Sequence, residues 1–194
     1  GRIHITQSLQ NQFESGDPRI FHTFFVAGED YFGTPFNPAW SITGATPSKY
    51  IRDFISYNEP NAGSNNERLI RYADVLLMLA EAELLGNNNV GRAAELINLV
   101  RRRADPTGNI LPDRSSTATA DQMMQWLMHE RRVELAGEYA DRHLDLVRWG
   151  DAQAAYAKPA TGRNHANKTD PDSPFVVYET WPGRNFNPQV HHVW

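Results

Sequence analysis

Three glutamates spaced four residues apart, Glu130, Glu134 and Glu138, form the densest cluster of ionisable side chains in the sequence. On a helix this spacing puts them on one face, where like charges repel unless cations lie between them. Two such carboxylates could serve as the general acid and base of a glycoside hydrolase. We favour a structural network of ion pairs, because the cluster shares its helices with apolar residues. Arg142 and Arg148 are the candidate cations, since one arginine can hold two carboxylates.

No other pattern in the sequence indicates catalysis or metal binding. His129 and Glu130 do not open a zinc protease motif, because the second histidine would fall at Val133. The sequence has no P-loop, no dinucleotide-binding glycine pattern after a strand and no Gly-x-Ser-x-Gly. It also has no cysteine, which excludes disulfides and thiolate metal sites. We therefore expect no enzymatic activity, no metal and no cofactor.

The elements that would position these side chains are helices, and residues 69–84 form the clearest one. Apolar residues recur there at intervals of three and four and leave only a thin polar face. This pattern predicts a helix buried between other helices. A turn of Gly and Asn residues and a second helix over residues 90–104 follow. Residues 69–104 are thus predicted to form a hairpin of about 34 to 36 residues, the size of a tetratricopeptide unit.

A single hairpin cannot bury its own apolar faces, and a second one is predicted over residues 119–155. Thr119 and Gln122 fit a capping box at the start of a third helix. Gly137 marks the break before a fourth helix over residues 139–155. The predicted fold class is mainly α, with tetratricopeptide-like helical hairpins and long irregular loops.

Two segments rich in Pro and Gly lie outside the hairpins, a loop region over residues 27–66 and a tail over residues 158–194. The loop region also contains many aromatic residues, in which disordered segments are poor. We therefore expect an ordered surface loop, of the kind that often carries function. Short strands are predicted at residues 20–26, 50–57 and 175–178.

The composition of the sequence argues against nucleic-acid binding and against a membrane-spanning segment. The chain has 194 residues, 40% of them apolar, and a net charge of −4, with no basic excess that would indicate nucleic-acid binding. Its longest apolar run, residues 75–80, is far too short to span a membrane. The sequence shows no signal peptide and no initiating Met, so we expect a piece of a longer polypeptide.

Five motifs in order resemble the C-terminal half of proteins of the SusD/RagB family. They are SGDPR at residues 15–19, LIRYADVLLMLAEA at 69–82, INLVRRRA at 97–104, ERRVELAGE at 130–138 and RHLDLVRWG at 142–150. The ending NPQVHHVW at residues 187–194 is also similar to the closing segment of the family. The matched motifs belong mostly to the scaffold, so they indicate the family better than the ligand.

The resemblance implies a SusD-like helical scaffold and a surface lipoprotein of Bacteroidetes outer membranes. It also implies a non-catalytic role, the capture of glycans, or in some members peptides, for a TonB-dependent transporter of the SusC/RagA type. The lipidated cysteine and the N-terminal half of such proteins are not in this sequence. On this basis residues 1–194 are the C-terminal portion of a longer family member.

The segment EDYFGTPFNPAW at residues 29–40 offers groups that suit a sugar. Sugars present flat apolar faces, which aromatic rings cover, and hydroxyls, which carboxylates and amides bind. We therefore predict Tyr31 and Trp40 as stacking platforms and Asp30 and Asn37 as partners of hydroxyls. The competing interpretation is that the aromatics only pin the loop to the helices. Trp181 in the tail is a weaker candidate.

Two rival functions remain open at this stage. One is a tetratricopeptide-type module that binds a protein or a peptide, against which the clustered aromatics of the loop argue mildly. The other is an α-helical glycoside hydrolase that uses Glu130 and Glu134. The hydrolase would need these two carboxylates in an open cleft and not between helices.

Overall fold

The computed structural model describes residues 5–26, 29–31, 33–49, 68–138, 142–165 and 175–184. They fall into two compact units. The helical unit lies within Asn11–His22 and Glu67–Tyr139, and the mixed unit lies within Gly1–Gln10, Thr23–Asn66 and Ala140–Trp194.

Helix is the main regular structure of the described residues, which confirms the predicted mainly α fold. The helices are α1 (Gln7–Gln10), α2 (Arg19–Thr23), α3 (Tyr72–Asn87), α4 (Val90–Ala104), α5 (Ala120–Glu134), α6 (Arg142–Arg148) and α7 (Ala152–Ala157). The strands are β1 (Phe24–Val26), β2 (Asp30–Tyr31), β3 (Thr34–Pro35), β4 (Ala45–Pro47), β5 (Ala160–His165) and β6 (Phe175–Trp181). A 3-10 turn, Pro38–Trp40, lies between β3 and β4.

The first predicted hairpin is present as α3 and α4 of the helical unit. Asn88 ends α3 in the left-handed conformation, with φ of 50°, a backbone state that Asn tolerates better than most residues. The next residue, Asn89, begins α4, because its side-chain oxygen accepts a hydrogen bond of 3.1 Å from the backbone N–H of Arg92. Gly86, within the predicted turn, remains helical.

Helix α5 packs against both helices of this hairpin. The hydroxyl half of the predicted capping box is confirmed, since the hydroxyl of Thr119 accepts a hydrogen bond of 3.2 Å from the N–H of Gln122. The shared apolar core contains Leu76, Leu77, Ala80 and Leu84 of α3, Ala93, Ala94, Leu96, Ile97 and Val100 of α4, and Met123 and Leu127 of α5.

The prediction that α3 is buried almost all round is wrong. One side of α3 faces the core of the helical unit, but the opposite side is exposed although it is apolar. Periodicity misled here because two apolar faces on one helix give the same sequence pattern as a fully buried helix.

The mixed unit consists of short helices and two-stranded antiparallel ladders. Strand β1 pairs with β4, β2 with β3, and β5 with β6. The predicted strand at residues 20–26 is shorter, because α2 occupies its first half. The strand predicted at residues 175–178 lies within β6, whereas its partner β5 was not predicted. The strand predicted at residues 50–57 lies outside the described residues.

The predicted fourth helix over residues 139–155 is interrupted. Helix α6 ends at Arg148, and Gly150 follows with φ of 77°, which residues with a Cβ rarely adopt. Helix α7 then begins at Ala152, after the N–H of Asp151 has donated a hydrogen bond of 2.8 Å to the carbonyl of Leu146. The chain therefore turns between two short helices of the mixed unit.

Candidate functional site

The predicted ligand-binding residues lie in one segment of the mixed unit, residues 29–40, which we call the aromatic loop. Its first half is the hairpin of β2 and β3, in which Asp30 lies opposite Pro35. A carboxylate oxygen of Asp30 accepts a hydrogen bond of 2.7 Å from the N–H of Gly33, whose φ is 76°. Asp30 therefore fixes the turn, while its side chain remains exposed at the surface.

Asn37 has the matching role in the second half of the aromatic loop. Its side-chain oxygen accepts a hydrogen bond of 2.9 Å from the N–H of Ala39 and so caps the 3-10 turn that carries Trp40. Asn37 is exposed. The amide NH₂ group of an asparagine that caps in this way is still a donor of two hydrogen bonds.

Trp40 packs against two buried phenylalanines. Its ring centroid lies 6.0 Å from that of Phe25 and 5.9 Å from that of Phe36, and the two phenylalanines meet edge to face at 5.2 Å. Such tilted and edge-on contacts between aromatic rings are favourable beyond the area that they bury. Phe25 and Phe36 are buried, whereas the indole of Trp40 is only partly buried.

Glu29 holds the start of the aromatic loop. Its carboxylate accepts a hydrogen bond of 3.2 Å from the N–H of Val26, and its carbonyl accepts one of 3.0 Å from the N–H of Phe36. Burial raises the pKa of Glu29 more than the bond from Val26 lowers it. Glu29, the residue before β2, is thus joined to the residue after β3.

The structure therefore brings the predicted residues into one loop but assigns structural contacts to three of them. Asp30 and Asn37 stabilise turns. Trp40 packs on Phe25 of β1 and on Phe36 of its own loop, whereas the competing interpretation expected packing against helices. Tyr31 lies in β2 opposite Thr34, and its side chain is outside the described part of the chain. Sequence reasoning missed Phe25, which it had assigned only to a strand; the pair Phe24-Phe25 gave no sign of which ring faces Trp40.

The glutamate cluster lies in the helical unit, where it forms a buried arginine–carboxylate network. We use this name for Glu130, Glu134 and Glu138 with the arginines and carboxylates that contact them. Arg19 and Arg101 each donate to one oxygen of Glu130, the latter at 3.1 Å. The Glu130 side chain has no exposed surface, and both of its oxygens are bound.

Glu134 and Glu138 are held by further arginines of the same unit. Arg103 and Arg71 donate to the two oxygens of Glu134 at 2.6 and 3.0 Å. Arg71 also binds Glu138 through both oxygens, at 2.6 and 2.8 Å. This is the bidentate geometry in which a guanidinium recognises a carboxylate best.

The network also ties the segment Asn11–His22 to α4 and α5. Asp17 binds the guanidinium of Arg19 at 2.8 Å, and Glu14 accepts hydrogen bonds of 2.8 and 3.2 Å from Arg101. Burial opposes the charge of Arg19, but Asp17 and Glu130 outweigh it and raise its pKa well above the usual range. Each buried charge described here therefore has an opposite charge beside it.

These contacts decide between the two interpretations of the glutamates. Glu130 and Glu134 are 0% and 2% exposed, and arginines occupy their oxygens, so they do not line the open cleft that a hydrolase needs. The predicted cations were wrongly chosen. Those on Glu130 and Glu134 come from α2, α4 and the residue before α3, while Arg148 of the mixed unit binds Asp145 at 2.8 Å.

Metal binding has no support in the part of the chain that the structure describes. Within those residues, no three His, Asp or Glu side chains are placed to hold a metal ion.

Comparisons with known proteins agree on one family. A model of the SusD family matches residues 3–188. The chain is similar to a SusD-like protein, P38, of Formosa agariphila, with 37% identity over 111 residues, which are 54% of this chain and 20% of that protein. It is also similar to the crystal structure of a SusD superfamily protein from Bacteroides vulgatus, with 31% identity and a TM-score of 0.62. That match covers 77% of this chain and 34% of the other. The chain thus spans less than half the length of either relative.

Removing one partner from the buried network is expected to destabilise the protein strongly. In Arg19→Ala, the carboxylates of Asp17 and Glu130 lose a buried counter-charge, and we expect the free energy of unfolding to fall by about 3–5 kcal/mol. The matched control is Arg92→Ala, which breaks the exposed pair of Arg92 and Glu95 and should change it by less than about 1 kcal/mol. Equal losses in urea unfolding of the two variants would contradict the role of the network.

The ion pairs of Glu14 should make the stability of the protein depend on pH. Burial alone would raise the pKa of Glu14, but the hydrogen bonds and charge of Arg101, with the charge of Arg114, lower it below the usual value. At about pH 4 the folded state then binds fewer protons than the unfolded state. The stability that ionised Glu14 contributes is therefore present above about pH 4.3 and is lost as pH falls through the folded pKa. We expect Glu14→Gln to be less stable than wild type at pH 7 and the difference to shrink below about pH 4.3. A difference that stays constant between pH 7 and 3 in urea unfolding would refute this.

Proposed function

The chain belongs to the SusD family, and from this premise we propose that the whole protein captures oligosaccharides at the cell surface and passes them to a TonB-dependent outer-membrane transporter. The observation that supports the proposal most is the family match, which extends over residues 3–188. The chain spans only part of its relatives, so the activity of the whole protein is inferred from the family and from the aromatic loop.

We propose Trp40 as the stacking platform of the aromatic loop. The indole is rigid, because Phe25 and Phe36 support it, and part of it remains accessible. A platform that is already immobilised loses little conformational entropy when a ligand binds. The packing contacts of Trp40 are therefore compatible with binding, since they orient the ring that a sugar would cover.

Asp30 and Asn37 are the proposed partners of sugar hydroxyls. Each uses one side-chain oxygen to fix a turn, at 2.7 Å to Gly33 and 2.9 Å to Ala39. The second oxygen of the Asp30 carboxylate and the NH₂ group of Asn37 provide an acceptor and donors at exposed positions. Tyr31, in β2 of the same hairpin, is proposed as a second stacking residue.

The proposed role is binding without bond cleavage. Its physical support is that the carboxylates suited to glycoside hydrolysis by sequence, Glu130 and Glu134, are buried and bound by arginines. A general acid must reach the glycosidic oxygen of its substrate. These two side chains would reach a substrate only after the ion pairs of the helical unit had opened.

We place the protein at the outer membrane as a surface lipoprotein, with a transporter of the SusC/RagA type as its partner, because the SusD family suggests both. The residues described by the structure contain no helix long and apolar enough to cross a membrane. We also propose that the 194 residues are the C-terminal portion of the full-length protein.

The test of the ligand class uses the full-length protein. We expect it to bind oligosaccharides on a glycan array and to release no shorter sugars from those that it binds. Binding only to a peptide library would favour the tetratricopeptide-type module in its place. Release of reducing ends from a bound glycan would show that the protein is an enzyme.

A substitution in the aromatic loop tests the proposed site itself. With the best oligosaccharide from the array, Trp40→Ala in the full-length protein should weaken the affinity at least about tenfold, or about 1.4 kcal/mol, because the sugar loses its stacking surface. The matched control is Trp126→Ala, which removes another partly buried indole, packed under Arg114 in the helical unit. Titration calorimetry that gives equal affinities for the two variants would remove Trp40 from the site.

A further inference from the structure

Helix α3 is apolar on two sides, the one that packs into the core of the helical unit and the one that reaches solvent. Two of its three acidic side chains, Asp74 and Glu81, are buried, and the third, Glu83, is partly exposed. Asp74 accepts a hydrogen bond of 2.8 Å from Arg131 of α5, so it is paired within the core. The fully exposed positions of α3 carry no charged residue, although an exposed helix face is normally charged or polar.

The exposed side is a continuous apolar stripe along the whole of α3. Its large members are exposed by 41% to 75% of their surface: Leu79, Val75, Met78, Leu85 and Tyr72. The small residues Ala82 and Gly86 complete the stripe and are exposed as well. We call these seven residues the α3 outer face.

The spacing of the α3 outer face fits a helical partner. Tyr72, Val75, Leu79, Ala82 and Gly86 follow one another at alternating intervals of three and four residues, the pattern of a seam between two packed helices. Ala82 and Gly86 would allow the backbone of a second helix to approach closely at one end of this seam. Met78 and Leu85 widen the stripe on one side, as in helices that bury a broad face.

Helix α4 shows that such a face is not general in the helical unit. Its exposed positions are mainly charged, with Arg92, Glu95, Arg102 and Arg103 around a single large apolar residue, Leu99. Isolated apolar residues on a surface need no explanation, whereas a contiguous apolar patch indicates an interaction site. The α3 outer face is such a contiguous patch, whereas Leu99 of α4 is an isolated apolar residue.

We propose that in the full-length protein the α3 outer face is covered by an amphipathic helix of the same polypeptide, from outside these 194 residues. The lengths of the relatives support this occupant, since the chain spans 34% of the SusD superfamily chain from Bacteroides vulgatus and 20% of the Formosa agariphila protein. Stacking on a further helix is also how a helical hairpin buries the face that it cannot cover itself.

Photo-cross-linking in the full-length protein identifies the occupant. p-Benzoylphenylalanine replaces Leu79 in one variant and Tyr72 in a second, and the matched control carries it at the exposed Leu99 of α4. After irradiation we expect a product of monomer mass whose digest joins α3 to a peptide from outside the 194 residues. The control at Leu99 should not yield that peptide.

Each other product would overturn the proposal. A product of dimer mass would assign the face to a second copy, a product with another protein would assign it to a separate partner, and a link to a peptide within the 194 residues would place its cover there. Failure of both folded variants to cross-link would show an open face.

A thermal measurement keeps the proposal testable if the bulky side chain disturbs folding. Leu79→Ser in the full-length protein should lower the unfolding temperature by at least about 2 °C, because it puts a hydroxyl into a covered apolar seam. Leu99→Ser is the control for the loss of helix propensity and should lower the temperature less. Equal shifts for Leu79→Ser and Leu99→Ser would mean that Leu79 is exposed in the whole protein.

Discussion

The helical unit depends on the compensation of buried charge. A carboxylate as deeply buried as Glu130 is tolerated only if cations and hydrogen-bond donors replace the water that it loses. Arg19 and Arg101 meet this requirement from two different segments, so the requirement also fixes where those segments lie. The network thereby positions residues 11–22 against α4 and α5, and it does so with directional contacts that an apolar core lacks.

The same network explains why the glutamates that suit acid–base chemistry by sequence do not lie in an open cleft. Glutamates at helical spacing share a face whether they serve chemistry or structure, and only their partners distinguish the two. Here the partners are arginines with bidentate or multiple contacts, on Glu134 and Glu138 above all. The proposed ligand site is a loop of the mixed unit, whose turn residues and indole are held in place by Gly33, Ala39 and two phenylalanines.

Local signals in the sequence predicted the parts of the fold that local interactions determine. The cap at Thr119 and the turn at Asn88 follow from residue types that satisfy nearby backbone groups, and both were predicted. The partners of Glu130 were not, because Arg19 lies 111 residues away and no spacing rule connects them. The loop was predicted as an aromatic-bearing site, but the packing of Trp40 on Phe25 depends on the pairing of β1 with β4, which the sequence does not reveal. The exposed side of α3 escaped prediction because periodicity reports apolar faces and not what covers them.

The division of labour proposed here is that buried carboxylates serve the fold and the aromatic loop serves the ligand. A crystal structure of the full-length protein with a bound oligosaccharide tests it most directly. The account predicts a sugar ring against the indole of Trp40, hydroxyls within hydrogen-bond distance of Asp30 or Asn37, and the ion pairs of Glu130 and Glu134 intact. A sugar that makes no contact with residues 29–40, or one that is bound at Glu130 after its arginines have moved away, would contradict it.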